Sequence, residues 1–87
     1  MKIILAPRAE KELKKLTKID QIALAHKIRK LKDYPQISQE ERLKNIPHVF
    51  RVRVGDYRII YRRTTQQIYI ILIGHRKEIY SILKRLL

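Results

Sequence analysis

The spacing of apolar residues changes period along this chain, from helical to alternating and back. "KIILA" (Lys2 to Ala6) is β-branched and stops at Pro7, which predicts a short strand. Pro7 suits the first turn of a helix, and Ala9, Leu13 and Leu16 then recur at i, i+4 and i+7. Thr17 breaks that run and can cap the next helix. Leu24, Ile28 and Leu31 form the main stripe of this second helix, from Ile19 to Asp33, ending near Tyr34-Pro35. Ile19, Ile22 and Ala23 offer it a second apolar patch. The short link predicts an antiparallel helical hairpin.

Residues Pro35 to Pro47 are polar and read as a loop. The period then becomes two. Phe50, Val52 and Val54 point one way while Arg51 and Arg53 point the other. Gly55-Asp56 signals a tight turn, Tyr57 to Arg63 returns as a second strand, and Thr64 to Gln67 turns again. "IYIILI" (Ile68 to Ile73) is apolar on both faces, as a central strand covered on one side by helices would be, and Gly74 ends it. "RKEIYSILKRLL" closes the chain as a helix with stripe Ile79, Ile82, Leu83 and Leu86, and Tyr80 stands about 100° from Ile79 at the stripe's edge. The order βααβββα makes residues 1–87 a single small α+β domain. Its antiparallel sheet carries an N-terminal helical hairpin and a C-terminal helix.

Charge sharpens this picture. Lys and Arg number 21 against 8 Asp and Glu, a net charge of +13. Such a balance suits nucleic acid or another polyanion. The hairpin concentrates it: Arg51, Arg53, Arg58, Arg62 and Arg63 face a single acid, Asp56. Guanidinium forks match phosphate bidentately, so this side of the sheet is read as a phosphate-binding face. There is no cysteine, and three scattered histidines lack metal-ligand spacing. With no Gly-rich phosphate loop either, no metal or cofactor is expected. No apolar run approaches a membrane span, so a soluble, cytoplasmic protein is expected, with no membrane partner.

Two segments converge in this reading. The Arg51–Arg53 strand lies beside its hairpin partner carrying Arg58. The Ile73-Gly74-His75-Arg76 corner follows the neighbouring strand, with Tyr80 one helical turn further on. Together they suggest a shallow cationic groove holding one tyrosine and one histidine. Tyr57, Tyr61 and Tyr69 are read as sheet-packing residues.

"LKNIPHVFRVRVGDYRIIYRR" followed by "IILIGHRKEIYSILKRLL" resembles the RelE/ParE superfamily of bacterial and archaeal toxins, and in particular its RelE branch. The resemblance spans nearly the whole chain and implies the RelE-like fold. It further implies a toxin of a type II toxin–antitoxin system: a metal-independent endoribonuclease that cuts mRNA in the ribosomal A site, beside 16S rRNA. A cognate RelB-like antitoxin would hold it inactive. The basic strand pair of the family falls on Arg51 and Arg53, its hairpin arginine on Arg58, the arginine after the last strand on Arg76, and the helix tyrosine on Tyr80. Where the best-known member has lysines, this chain has Arg51 and Arg53; arginine stays charged, so neither can act as a base.

The implied chemistry is attack of an RNA 2′-OH on the adjacent phosphorus. Arg58 and Arg76 would stabilise the phosphoryl charge, with Arg51, Arg53 and Arg62 gripping the backbone. Tyr80 or His75 would take the proton. The alternative within the superfamily is a ParE-like poison of DNA gyrase without nuclease activity. A charge placed at Ile82 or Leu86 is expected to undock the last helix, whereas Tyr80→Phe is expected to cost activity and leave the fold intact.

Overall fold

The computed structural model describes residues 1–33 and 40–86. Strand β1 (Lys2–Leu5) leads into α1 (Pro7–Lys15), with Pro7 at the start of the helix where its missing N–H costs nothing. Thr17 caps α2 (Lys18–Lys30): its side chain accepts from the Asp20 N–H at 3.3 Å. A 3₁₀ turn, Leu31–Asp33, comes next. Beyond it lie β2 (Glu40–Arg42), β3 (Val49–Val54), β4 (Tyr57–Arg63), β5 (Gln67–His75) and α3 (Ile79–Leu86).

The five strands lie in the order β1-β5-β4-β3-β2. Strands β3 to β5 are antiparallel, as expected; β2 adds antiparallel to β3, and β1 adds parallel to β5, with Ile3 beside Ile68. Alternation along the strands then builds two cores. Val52, Ile59, Tyr61, Ile68 and Ile70 meet Ala9, Leu24 and Ile28 of the helical hairpin and Leu31 of the 3₁₀ turn. On the other face Val49, Ile60 and Leu72 meet Ile79 and Leu83 of α3. Helices therefore cover both faces of β5, not one side alone, which explains its doubly apolar sequence. A β-bulge opposite Ile60 and Tyr61 shifts the register, so that Ile60 faces Leu72 and Tyr61 faces Ile70. Ile71, skipped by the pairing, packs with the α3 core.

Several expectations are corrected. Gly74 does not end β5 but lies within it, under the start of α3. A Cβ there would meet Ile79 Cδ1 at 3.0 Å, so a glycine lets the helix close down. The last helix begins at Ile79 rather than Arg76, because residues 75–78 form a turn closed by the Glu78 N–H on the His75 carbonyl at 2.9 Å. Leu83 is buried, whereas Leu86, placed in the stripe, is half exposed. Ile19, Ile22 and Ala23 are not a second buried patch: Ile19 and Ala23 are exposed, as is most of Ile22.

The largest correction concerns the segment read as a loop from Pro35 to Pro47. Residues 34–39 lie outside the described residues, but Glu40–Arg42 is a strand paired with β3, Glu40 beside Val52 and Glu41 beside Arg51. Three polar residues carry no alternation to read. What holds them is a side-chain latch. Arg63, on β4, binds Glu40 in a two-pronged pair at 2.6 and 3.0 Å. Tyr61 donates its hydroxyl proton to the same carboxylate. Phe50 of the intervening strand stacks on Tyr61 and lies 4.2 Å beneath the Arg63 guanidinium. The Glu40 and Arg63 side chains are only 14% and 8% exposed. Burial, and then the Glu40 carboxylate, push Tyr61 far above the usual phenol range, so it remains a donor.

Leu83→Ala is expected to cost about 2–3 kcal/mol in urea unfolding, and Leu86→Ala much less; equal losses would contradict this docking of α3. Glu40→Ala, which strips a buried guanidinium of its carboxylate, is expected to cost about 3 kcal/mol. Unchanged unfolding would show that the latch does not hold β2.

Candidate nucleic-acid interface

The β3–β4 hairpin turns at Gly55, whose φ of 59° is the left-handed conformation that glycine adopts freely. The turn sets Arg53 directly opposite Arg58. Like charges so placed repel, and the chain disperses them. Arg58 is buried and folds back, its Nη1 donating to the Gly55 and Tyr57 carbonyls at 3.0 and 2.9 Å. Arg53 extends and is half exposed.

Arg51, on the same face two residues earlier, is the hub. Its Nη1 donates to the Tyr80 hydroxyl, and its Cζ lies 5.5 Å from the centre of the Tyr80 ring. Its Nη2 donates to Glu41 Oε2 at 2.5 Å. The other oxygen of Glu41 stands 3.8 Å from Arg53 Nη2. Glu41 is thus the acid set into the arginine face. The hydrogen bond from Arg51, followed by the charges of Arg51, Arg53 and Arg58, holds its carboxyl below the usual carboxylate range. Because Tyr80 accepts from Arg51, its own O–H proton remains available to donate.

Of the residues singled out in the sequence, Arg51, Arg53, Arg58 and Tyr80 share this face. Arg76 lies at the hairpin end. Its N–H donates to the Asp56 carbonyl at 2.7 Å, and its Nε is 3.7 Å from the Asp56 carboxylate. His75 is not brought into the groove. It pairs with Tyr57, one residue out of phase with Arg58 and Gly74, so its ring turns to the opposite face of the sheet. There it meets the Tyr57 ring edge-on at 5.9 Å, and its Nδ1 accepts from the Lys77 N–H at 3.2 Å. Arg62 is exposed four residues along β4 from Arg58, about 13 Å away.

Glu41 is the residue the sequence reading missed. The signal was present: in a chain with 8 acids, two adjacent ones precede the arginine strand, and strand alternation sends them to opposite faces. The site itself is a surface rather than a pocket; clefts lined by Arg42–Pro47 and around Phe50 and Arg63 do not include it. Among the described residues no group of His, Asp and Glu side chains could hold a metal ion, and no helix is long and apolar enough to cross a membrane. The geometry offers fixed cationic donors and one hydroxyl, a set suited to a phosphodiester.

Comparison with known proteins agrees with this fold. A sequence model of the ParE toxin of type II toxin-antitoxin systems (parDE) matches residues 3–80. Among curated protein sequences none matches significantly. The isolated Escherichia coli RelE toxin superposes with a TM-score of 0.74 at 26% identity, covering 99% of this chain and 98% of that one. A mutant of that toxin in the free state gives 0.76 at 25%, covering 99% and 97%. The RelB-RelE antitoxin-toxin complex from Methanococcus jannaschii gives 0.74 at 22%, covering 91% and 96%. This chain therefore belongs to the ParE toxin family of type II toxin–antitoxin systems, within the RelE/ParE superfamily, and has the RelE-like fold.

Proposed function

We propose that this toxin is a ribosome-dependent endoribonuclease that cuts mRNA in the A site. The observation that carries the reading is the Arg51–Tyr80 hydrogen bond on a face shared with Arg53 and Arg58. In the proposed reaction the 2′-oxygen of one nucleotide bonds to its 3′-phosphorus and the P–O5′ bond breaks. Tyr80 takes the 2′-OH proton as its own O–H proton passes to water, and the departing 5′-oxygen takes a proton from water. Arg58 and Arg76 stabilise the charge that gathers on the phosphoryl oxygens, while Arg51 and Arg53 hold the backbone. Arg62 meets the strand further along. His75, turned to the opposite face, is given no part.

Arg51 is engaged by Glu41 and Tyr80, and Arg76 by Asp56. A flexible RNA must compete with those contacts unaided, whereas the ribosome presents mRNA already positioned, and that favours ribosome dependence. A cytoplasmic location accords with such a target. The solved complexes of RelE toxins with RelB antitoxins support a RelB-like antitoxin as partner. The second reading is a ParE-like gyrase poison: the matching family carries the ParE name, but the solved structures that superpose at 25–26% identity are RelE toxins.

Purified ribosomes programmed with an empty A site test the proposal. Cleavage is expected with ribosomes and not without them. Arg58→Ala and Arg76→Ala are each expected to slow it by about 10²-fold or more; Arg76→Ala is expected to keep the melting temperature, and Arg58→Ala to lower it, because the buried guanidinium holds the Gly55 and Tyr57 carbonyls. Tyr80→Phe is expected to lose activity and keep its fold, since Tyr80 is exposed. Intact mRNA in every tube, with loss of gyrase supercoiling, would establish the second reading.

A further inference from the structure

Glu41 lies where a substrate phosphate would be gripped. Its two oxygens face two guanidiniums, at 2.5 Å from Arg51 and 3.8 Å from Arg53, much as two non-bridging phosphoryl oxygens would. The bland explanation is an ion pair that fastens β2. However, β2 is already fastened from the other face by Glu40, whose buried carboxylate takes bonds from Arg63 and Tyr61. Glu41 is itself half exposed, and exposed ion pairs contribute little to a fold. Its effect is electrostatic: it places a negative charge among Arg51, Arg53 and Arg58.

We infer that Glu41 is a built-in occupant of the phosphate site, holding Arg51 and Arg53 until an RNA backbone phosphate displaces it, and so discriminating against loosely presented RNA. This rests on the nucleic-acid reading of the arginine face. On displacement Arg51 keeps Tyr80 through Nη1 and turns Nη2 to the phosphate. The tyrosine thus stays beside the bond to be broken, and the cost of displacement falls on binding. An RNA fixed in register meets that cost with its other contacts; a free strand lacks them.

The test is binding of a fluorescent single-stranded RNA, made uncleavable by 2′-deoxy substitution, to the full chain across a salt series. Glu41→Gln is expected to tighten binding roughly tenfold at low salt. The slope of log K against log salt should steepen by about 0.7 for each further phosphate that the arginines neutralise. In an Arg51→Ala background most of the tightening is expected to vanish, since the charge that Glu41 screens is gone. Glu41→Thr, which suits a strand, carries the same expectation if the glutamine variant folds poorly. Unchanged or weaker binding by both Glu41 variants, while Arg51→Ala weakens binding, would overturn the inference and leave the interface standing. If wild type binds no better than an Arg51, Arg53 and Arg58 triple alanine variant, the interface and the inference both fall.

Discussion

The ion pair between Glu40 and Arg63 ties the outermost strand of the sheet to a strand two places inward, across the Phe50 ring of the strand between them. Its two prongs and the Tyr61 hydroxyl satisfy the Glu40 carboxylate at the margin of the core, where an unpaired charge would be costly. Because β2 has only three residues and none is apolar, backbone pairing alone is a weak hold. Once Glu40 is fixed to the helical-hairpin side, strand alternation leaves Glu41 no choice but the other side. There it meets Arg51. The composition of the cationic face thus depends on a contact made on the far side of the sheet.

That face is an exercise in managing like charge. Arg53 and Arg58 lie opposite one another, with Arg51 two residues away on the same side. Three guanidiniums so close are tolerated because backbone carbonyls, a hydroxyl and one shared carboxylate receive them. Arg58 turns to the backbone carbonyls of the hairpin turn, Arg51 divides itself between Tyr80 and Glu41, and Arg53 reaches into solvent near the same acid. The α3 helix is positioned to serve this arrangement. Gly74 lets Ile79 press against the sheet, Ile79 and Leu83 anchor the helix, and Tyr80 is left on the rim above Arg51. Packing on one side of α3 and hydrogen bonding on its edge are consequences of the same helical phase.

Most of this architecture was legible because it is written in periodicity. The helical spacing of Ala9, Leu13 and Leu16, the alternation of Phe50 to Val54, and the Gly55-Asp56 turn each have a single physical reading. Placement of Arg51, Arg53, Arg58 and Tyr80 on one face came from strand and helix phase. The failures have equally definite causes. His75 was read as a corner residue because Gly74 looked like a strand end; β5 runs on through both, and one further residue of strand turns the histidine to the opposite face. Strand β2 escaped notice because its stability resides in Arg63 and Tyr61, some twenty residues away, and polar residues leave no pattern of their own. Glu41 was missed with it.

On the proposed reading, the arginine face acts on an RNA phosphodiester during attack by the neighbouring 2′-OH. The most direct test is cleavage, on ribosomes, of an mRNA carrying a single 2′-deoxy nucleotide immediately 5′ of the scissile phosphate, beside its all-ribose counterpart. The ribose message is expected to be cut there and to leave a 2′,3′-cyclic phosphate or its hydrolysis product, while the deoxy message survives at that position. Equal cutting of the two, or of neither, would contradict that reading.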